Sequence, residues 1–320
     1  MTTYLDLHRE FSAGIDAEVE AALARTGAAA PALRDAVGRL LGHQQMRYPL
    51  SVLPLLVHGT ETGSPAPALP LSAVHILWWT SACYLDDLAD GQTSALPEGL
   101  GPHEALLAAI VTGHLLPLRV LEAPGVPAAV RPALTAELLD CGTTAAEGQL
   151  DDMRKNTGDA TRDTVLAAYR GKSGAPFAMI TAMAAILAGA DGERVALWRE
   201  FGDVFGLLWQ VFNDYEDLAS GRHEDLLNGT VTYALACALE EASPDARERI
   251  LALQTAARTS AGARSDLAAL LLGPSALAYC EKDLGEFRGT AYGLLDRLGG
   301  DGTHASVLRR LVDHTSRLRP

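Results

Sequence analysis

The sequence predicts an all-α protein on three grounds. Apolar residues make up 48% of the 320 residues, and alanine and leucine, both strong helix formers, dominate among them. Helical segments are marked by proline near their start and glycine near their end. No stretch shows the sustained alternation of apolar and polar residues that is typical of a strand. A large core built from helices follows from this composition.

Helix signals follow one another along most of the chain. An amphipathic segment begins at Pro31 and stops at Gly42, and another begins at Pro70 and runs through an acidic motif to Gly91. The polar segment 221–229 fits either a mobile lid or an ordered loop. Further helices are predicted at about 103–121, 128–155, 175–189, 193–219, 230–241, 244–257, 275–297 and 303–317.

Two segments rich in small residues are predicted as loops within one domain. They are Gly63-Ser64-Pro65-Ala66-Pro67 and Thr259-Ser260-Ala261-Gly262-Ala263. No linker indicates a division into two domains, and no internal repeat of fixed period is evident. We therefore predict a single domain over residues 1–320.

Charge and cysteine content exclude some classes of function. The net charge of −14 argues against a nucleic-acid partner, although a diphosphate pocket needs only a few local cations. The four cysteines have no metal-binding spacing and are predicted to be reduced thiols. The first residues show no signal peptide, and no uninterrupted apolar run reaches membrane-spanning length. We expect a cytoplasmic protein without an integral membrane segment.

Two acidic segments in helical surroundings are the strongest functional signal. The first contains Asp86, Asp87 and Asp90, and the second spans 213–217. Side chains four residues apart on a helix project from one face, so the carboxylates repel one another beside apolar sequence that excludes water. A divalent cation would relieve this repulsion. Mg²⁺ suits such a site, because it uses few carboxylates and shares its shell with substrate phosphates.

The region between the acidic segments adds groups that suit a diphosphate. Gln149 and Asp152 lie in the sequence Gly-Gln-Leu-Asp-Asp, and Lys172 is followed by Ser173. Together with the acidic segments, these motifs resemble the trans-isoprenyl diphosphate synthase superfamily. There, DDxxD, Gly-Gln-x-x-Asp, Lys-Thr and Phe-Gln-x-x-Asp-Asp-x-x-Asp follow one another in this order. The resemblance covers most of the chain and implies the class I isoprenoid synthase fold.

The resemblance also implies the chemistry and the residues that perform it. Mg²⁺ ions, three per active site, would draw the diphosphate away from an allylic substrate and leave a carbocation. The resemblance implies catalytic roles for four residues, which are Asp86, Asp90, Lys172 and Asn213. The implied metal ligands are Asp86, Asp87, Asp90, Asp152, Asn213, Asp214 and Asp217.

A group of aromatic and small residues is expected to bind the prenyl substrate. Aromatic faces stabilise positive charge, and residues shortly before the first acidic segment form the floor of the family's pocket. Ser81 and Ala82 are small there, which favours a C20 tail, although Trp78 or Phe177 could refill the space. The full expected set is Arg47, Trp78, Trp79, Ser81, Ala82, Gln149, Lys172, Phe177, Trp209, Gln210 and Phe212.

Several cationic residues of the family are absent. In the family's Gly-Gly-Lys-x-x-Arg segment, Arg47 is kept and Gln44 replaces the lysine. Trp79 stands where the family has His or Gln, 91–95 lacks a usual arginine pair, and 229–232 lacks a further lysine. Each lost cation removes a charge-assisted bond worth about 1.5–3 kcal/mol, so binding of isopentenyl diphosphate should weaken.

The missing cations favour a terpene synthase. We expect a cyclase and carbon–oxygen lyase that ionises a linear allylic prenyl diphosphate, geranylgeranyl diphosphate being preferred, and lets the substrate's own double bonds trap the cation. One alternative is a trans-prenyltransferase that makes geranylgeranyl or a similar prenyl diphosphate. Another is a catalytically silent regulatory subunit. A homodimer is compatible with all three.

Overall fold

The computed structural model describes residues 3–27, 30–43, 49–89, 97–154 and 157–318, and within these ranges the chain forms helices and turns without a strand. The all-α prediction is confirmed. The α-helices in chain order are α1 Tyr4–Ala24, α2 Pro31–His43, α3 Leu53–Thr62, α4 Leu69–Ala89, α5 Pro102–Ile110, α6 Leu116–Leu121, α7 Arg131–Arg154, α8 Arg162–Tyr169, α9 Ala175–Leu187, α10 Gly192–Ser220, α11 Glu224–Asn228, α12 Tyr233–Glu241, α13 Pro244–Ala257, α14 Ala261–Leu271, α15 Pro274–Leu298 and α16 Gly302–Thr315.

The contacts divide the chain into two compact units. The prediction of a single domain therefore stays a prediction. Unit 1 comprises Met1–Cys141, Met179–Arg199 and Arg297–Arg310, and unit 2 comprises Gly142–Ala178, Glu200–Asp296 and Leu311–Pro320.

Helix α4 is the central helix of unit 1. It packs against α1, α3, α5 and α6, and most of its residues are buried. An ion pair adds a polar anchor in the same unit, because Arg194 donates to Glu61 at 2.6 Å and Trp198 Nε1 donates to the same carboxylate at 2.7 Å. In unit 2, α13 packs against α14, and α8 packs against α12.

Two helical stretches among the described residues are apolar and long enough to cross a membrane by length and composition. They are Ala66–Ala89 and Pro102–Leu121. Both stretches lie in unit 1. Within the most apolar window of each, 67% is buried in the first stretch and 56% in the second. Burial of this kind is typical of the core helices of soluble proteins.

The predicted helix boundaries agree with the described residues within a few positions, and five helices were not predicted, namely α1, α3, α8, α11 and α14. The overlooked start of α1 is a capping box, in which Thr3 and Asp6 each accept a hydrogen bond from the other's backbone N–H. Ser260 lies in a segment predicted as a loop. Its hydroxyl accepts a hydrogen bond from Ala263 N, so it caps the start of α14. Helix α3 is buried all round and has no amphipathic pattern, and α8 has only eight residues.

Among the described residues, two five-residue π-helical turns interrupt longer helical runs. Val111–Leu115 joins α5 to α6, and Arg170–Gly174 joins α8 to α9. Such turns insert an extra residue into a helix and are frequent at functional sites. The second turn contains Lys172 and Ser173, the pair on which part of the diphosphate prediction rests.

His75 should make the stability of the protein depend on pH. Complete burial on α4 lowers the pKa of His75 from 6.5 to about 3. The folded state therefore resists protonation, and the stabilisation that is present above pH 6.5 is lost as the pH falls toward 3. From pH 7 to pH 4 we expect the unfolding free energy of the wild-type protein to fall by about 3 kcal/mol more than that of the His75→Gln variant. Urea titrations at both pH values measure this, and equal pH dependence of the two proteins would contradict it.

Candidate functional site

Glycine residues allow three helical segments of unit 2 to touch backbone to backbone. A Cβ atom on Gly148 of α7 would lie 2.7 Å from the Cα of Gly171 in the second π-helical turn. A Cβ on Gly206 of α10 would lie 2.7 Å from the Cα of Gly174 in the same turn. Real Cβ atoms do not approach so closely, so only glycine permits these contacts. The turn is therefore held directly against both α7 and α10.

The close contacts bring together polar residues that are distant in sequence. Lys172 Nζ lies 3.2 Å from Asp152 Oδ2, and both side chains are largely buried. On the other side of the turn, Ser173 Oγ donates to Gln210 Oε1 at 2.5 Å, and Gln210 Nε2 donates to Asp214 Oδ1 at 2.8 Å. The structure thus groups four of the predicted site residues with Ser173 in two hydrogen-bonded sets that meet at the sequence neighbours Lys172 and Ser173. We call these residues the lysine cluster; they are Asp152, Lys172, Ser173, Gln210 and Asp214.

Asp214 is the most deeply buried carboxylate of the lysine cluster, at 3% exposure. Its Oδ2 accepts a short hydrogen bond from the hydroxyl of Tyr169, and Tyr169 in turn accepts from Tyr233 N at 3.1 Å. Burial raises the pKa of Asp214 to about 6, although bonds from Tyr169 and Gln210 and the charge of Lys172 oppose the rise. Tyr169 was missed because nothing in the sequence distinguishes it from a core tyrosine.

Asp217 is buried as well and holds the polar segment 221–229. Its two oxygens accept from the backbone N–H groups of Glu224, at 3.1 Å, and Asp225, at 3.3 Å. These are the first residues of α11, which follows His223 in the left-handed region at φ 56°. The structure gives this segment a short helix whose first residues are bound by Asp217, as the ordered-loop alternative expects.

The remaining residues of the second acidic segment and its neighbours are placed differently. Asn213 is exposed, and Gln149 is half-buried on α7. The ring of Phe212 lies 6.1 Å from Trp209 and 5.1 Å from His314 between centroids. Phe177 is completely buried and meets Phe205 edge to face, which is core packing.

The first acidic segment lies at the end of α4 in unit 1. Asp86 and Asp87 are half-buried there, and the rings of Trp78 and Trp79 are 6.3 Å apart. Ala82 is half-buried on the same helix. Three residues of the prediction, Gln44, Arg47 and Asp90, lie outside the described residues.

Ser81 has a structural reason to be small. The hydroxyl of Ser81 donates to Ala109 O at 2.8 Å. A Cβ atom added to Gly113, in the first π-helical turn, would lie 2.5 Å from the Cβ of Ser81. A larger side chain at position 81 would collide with this turn. The small size of Ser81 therefore does not by itself indicate a long substrate pocket.

The described residues contain no group of three histidine, cysteine, aspartate or glutamate side chains arranged to bind a metal. Oxygen donors of the kind that Mg²⁺ prefers are nevertheless present in Asp86, Asp87 and Asn213. The oxygens of Asp214 and Asp217 accept hydrogen bonds from the protein itself. The donor chemistry of the two acidic segments fits Mg²⁺.

Comparison with known proteins gives a consistent family. The family model described as polyprenyl synthetase matches residues 105–270. A short chain isoprenyl diphosphate synthase from Methanothermobacter thermautotrophicus is 28% identical over 216 residues, which span 63% of this chain and 65% of that protein. The match thus covers less than two thirds of this relative's length.

Solved structures show the same fold. A geranylgeranyl pyrophosphate synthetase from Pyrococcus horikoshii has a TM-score of 0.80 at 18% identity, covering 99% of this chain and 98% of that one. A polyprenyl synthase from Caulobacter crescentus, complexed with calcium and isoprenyl diphosphate, has a TM-score of 0.77 at 17% identity, covering 99% and 97%. The expected isoprenoid synthase fold is confirmed.

The glycine contact should be sensitive to a single methyl group. In Gly148→Ala, the new Cβ meets the backbone of Gly171, so we expect the unfolding free energy to fall by about 1–3 kcal/mol. Gly142→Ala on the same helix is the matched control, because its Cβ meets nothing within 4 Å, and it should gain about 0.5–1 kcal/mol. Thermal unfolding of both variants checks this, and a neutral Gly148→Ala would contradict the close contact.

Proposed function

The chain belongs to the polyprenyl synthetase family, and on that premise we propose that it is a trans-prenyl diphosphate synthase. In this reaction an allylic prenyl diphosphate loses its diphosphate, and the double bond of isopentenyl diphosphate attacks the resulting cation. Loss of a proton from the new cation then restores a double bond in the lengthened chain. The observation that supports the proposal most directly is the lysine cluster, in which Lys172 lies 3.2 Å from Asp152 on a turn held by glycine contacts.

We assign to Lys172 the role of binding the leaving diphosphate. An ammonium group forms charge-assisted hydrogen bonds with phosphate oxygens. Asp152 holds Lys172 in place, and Ser173, through Gln210, holds the turn against α10. Gln149, one turn of helix before Asp152, is assigned to the same substrate group. These contacts fix the position of the positive charge before substrate arrives, which is how preorganised charge assists a leaving group.

We assign Mg²⁺ binding to Asp86, Asp87, Asp90 and Asn213, with three ions as the proposed number. The family generally uses Mg²⁺, which would neutralise the charge of the departing diphosphate. Asp152, Asp214 and Asp217 were also expected to be ligands, and their hydrogen bonds with protein groups favour a supporting role. Arg47 is assigned to the diphosphate of isopentenyl diphosphate.

The prenyl tail is assigned to apolar and small residues near the two acidic segments. Geranylgeranyl diphosphate is the proposed product. The close contact with Gly113 already explains why Ser81 is small. The C20 assignment therefore rests on the small size of Ala82 and on the name of the Pyrococcus neighbour, a geranylgeranyl pyrophosphate synthetase. The remaining residues assigned to the tail are Trp78, Trp79, Phe177, Trp209 and Phe212. A cytoplasmic location and a homodimer complete the proposal.

A terpene cyclase is the second candidate function. The specific observation in its favour is the loss of cations at Gln44 and in 91–95 and 229–232, which weakens the case for a second diphosphate site. Cyclisation was the first expectation from the sequence. The comparisons support chain elongation better, because the similar proteins are named as prenyl diphosphate synthases.

Product analysis separates the candidate functions. We expect the protein with Mg²⁺ and a C10 or C15 allylic diphosphate to form longer diphosphates only when isopentenyl diphosphate is present. Extracts analysed by chromatography and mass spectrometry measure this, and Asp86→Ala should abolish the product. Hydrocarbons or alcohols made in the absence of isopentenyl diphosphate would instead identify a cyclase. Absence of turnover in every mixture would favour the silent subunit.

Adjacent aspartates on α7 provide a matched test of the lysine cluster. In Asp152→Asn, Lys172 loses its charged partner, so we expect kcat/KM for the allylic substrate to fall about tenfold or more. Asp151→Asn makes the same chemical change at an exposed side chain on the same helix and should leave kcat/KM near the wild-type value. Steady-state kinetics of the two variants decide the matter, and equal losses would contradict the assignment.

A further inference from the structure

Tyr169 is a buried residue that is hydrogen-bonded to Asp214 of the lysine cluster, and its role goes beyond core packing. It is the last residue of α8, and its hydroxyl both donates to Asp214 Oδ2 and accepts from Tyr233 N at 3.1 Å. Its side chain is 3% exposed. The hydroxyl therefore has one donor and one acceptor in place, and turning its O–H bond away from Asp214 would leave that carboxylate oxygen without this donor.

The hydrogen bonds around Asp214 connect to both sides of Lys172. Tyr169 lies three residues before Lys172 and Ser173 one residue after it. Asp214 accepts from Tyr169 on one oxygen and from Gln210 on the other, and Gln210 accepts from Ser173. The four side chains thus clamp α10 to the turn on either side of the lysine.

Two carboxylates lie near Lys172. Its Nζ is 3.2 Å from Asp152 Oδ2. Lys172 also follows Tyr169, the hydrogen-bond partner of Asp214, by three residues in one helical run, so both side chains project from the same face. Asp214 is completely desolvated, and a buried carboxylate oxygen without a donor is strongly destabilised. If Asp214 lost the Tyr169 hydroxyl, moving the ammonium of Lys172 toward Asp214 would satisfy that oxygen.

We propose that Tyr169 is a positioning residue whose hydroxyl occupies Asp214, so that Lys172 stays with Asp152 and remains available to a substrate diphosphate. The assignment rests on the proposed function in one respect, namely that Lys172 binds diphosphate. Tyr169 itself does not touch the substrate. It acts by occupying Asp214, the carboxylate that would otherwise compete with Asp152 for Lys172.

Two tyrosine substitutions distinguish this role from simple stabilisation. Tyr169→Phe removes the hydroxyl that faces Asp214 and keeps the ring. Tyr233→Phe is the matched control, because its buried hydroxyl donates to a different carboxylate, Asp283, at 2.5 Å. Both variants should lower the melting temperature by similar amounts. Isothermal titration with inorganic diphosphate and Mg²⁺ should show binding about tenfold weaker in Tyr169→Phe and unchanged in Tyr233→Phe.

A second substitution provides a rescue that a merely structural role does not predict. In Tyr169→Phe combined with Asp214→Asn, the neutral amide no longer attracts Lys172. We therefore expect diphosphate affinity to return to within about threefold of wild type, since a neutral partner does not compete for an ammonium. The assignment is overturned if Tyr169→Phe binds diphosphate as wild type does, or if the double variant binds no better than Tyr169→Phe.

Lys172→Met separates failure of this inference from failure of the proposed function. If Lys172→Met binds diphosphate as tightly as wild type, the diphosphate role of Lys172 is wrong and the positioning role falls with it. A loss of binding in Lys172→Met without a loss in Tyr169→Phe overturns the positioning role alone. The titration needs no isopentenyl diphosphate, so its outcome does not depend on whether the enzyme elongates or cyclises.

Discussion

The contact between glycine backbones in unit 2 is the constraint on which the candidate site depends. Gly148 of α7 meets Gly171, and Gly206 of α10 meets Gly174, all without side chains between the helices. Helix axes can approach this closely only where no Cβ intervenes. The contact places a lysine from the turn within hydrogen-bonding distance of Asp152, and it explains in steric terms why the glycines accompany the polar motifs.

A second constraint is the burial of two carboxylates of the second acidic segment. A charged group removed from water needs hydrogen bonds from the protein, or it shifts toward its neutral form. Asp214 receives bonds from Tyr169 and Gln210, and Asp217 receives bonds from the backbone at the start of α11. The segment thus combines an exposed Asn213 with two aspartates that hold neighbouring elements in place.

The lost cations and the intact lysine cluster bear on different halves of the reaction. By the family resemblance, Gln44 and the segments 91–95 and 229–232 belong to the site expected for the second diphosphate, which only chain elongation needs. In the proposed function, Lys172 and Asp152 belong to the site of the leaving diphosphate, which elongation and cyclisation share. Family membership therefore agrees with the cluster, while the choice between the two outcomes depends on how much affinity the remaining cations provide.

The sequence by itself determined the all-α class, the family resemblance and the residue types of the site, because these follow from composition and from motifs of fixed spacing. It missed α3, which is buried on every side and has no amphipathic pattern, and it placed Ser260 in a loop rather than at a helix start. Only the tertiary structure decided that Asp217 holds a loop and that Tyr169 belongs to the site. The physical reason is that a motif names potential donors and acceptors, whereas their actual partners depend on which distant segments come within about 3 Å.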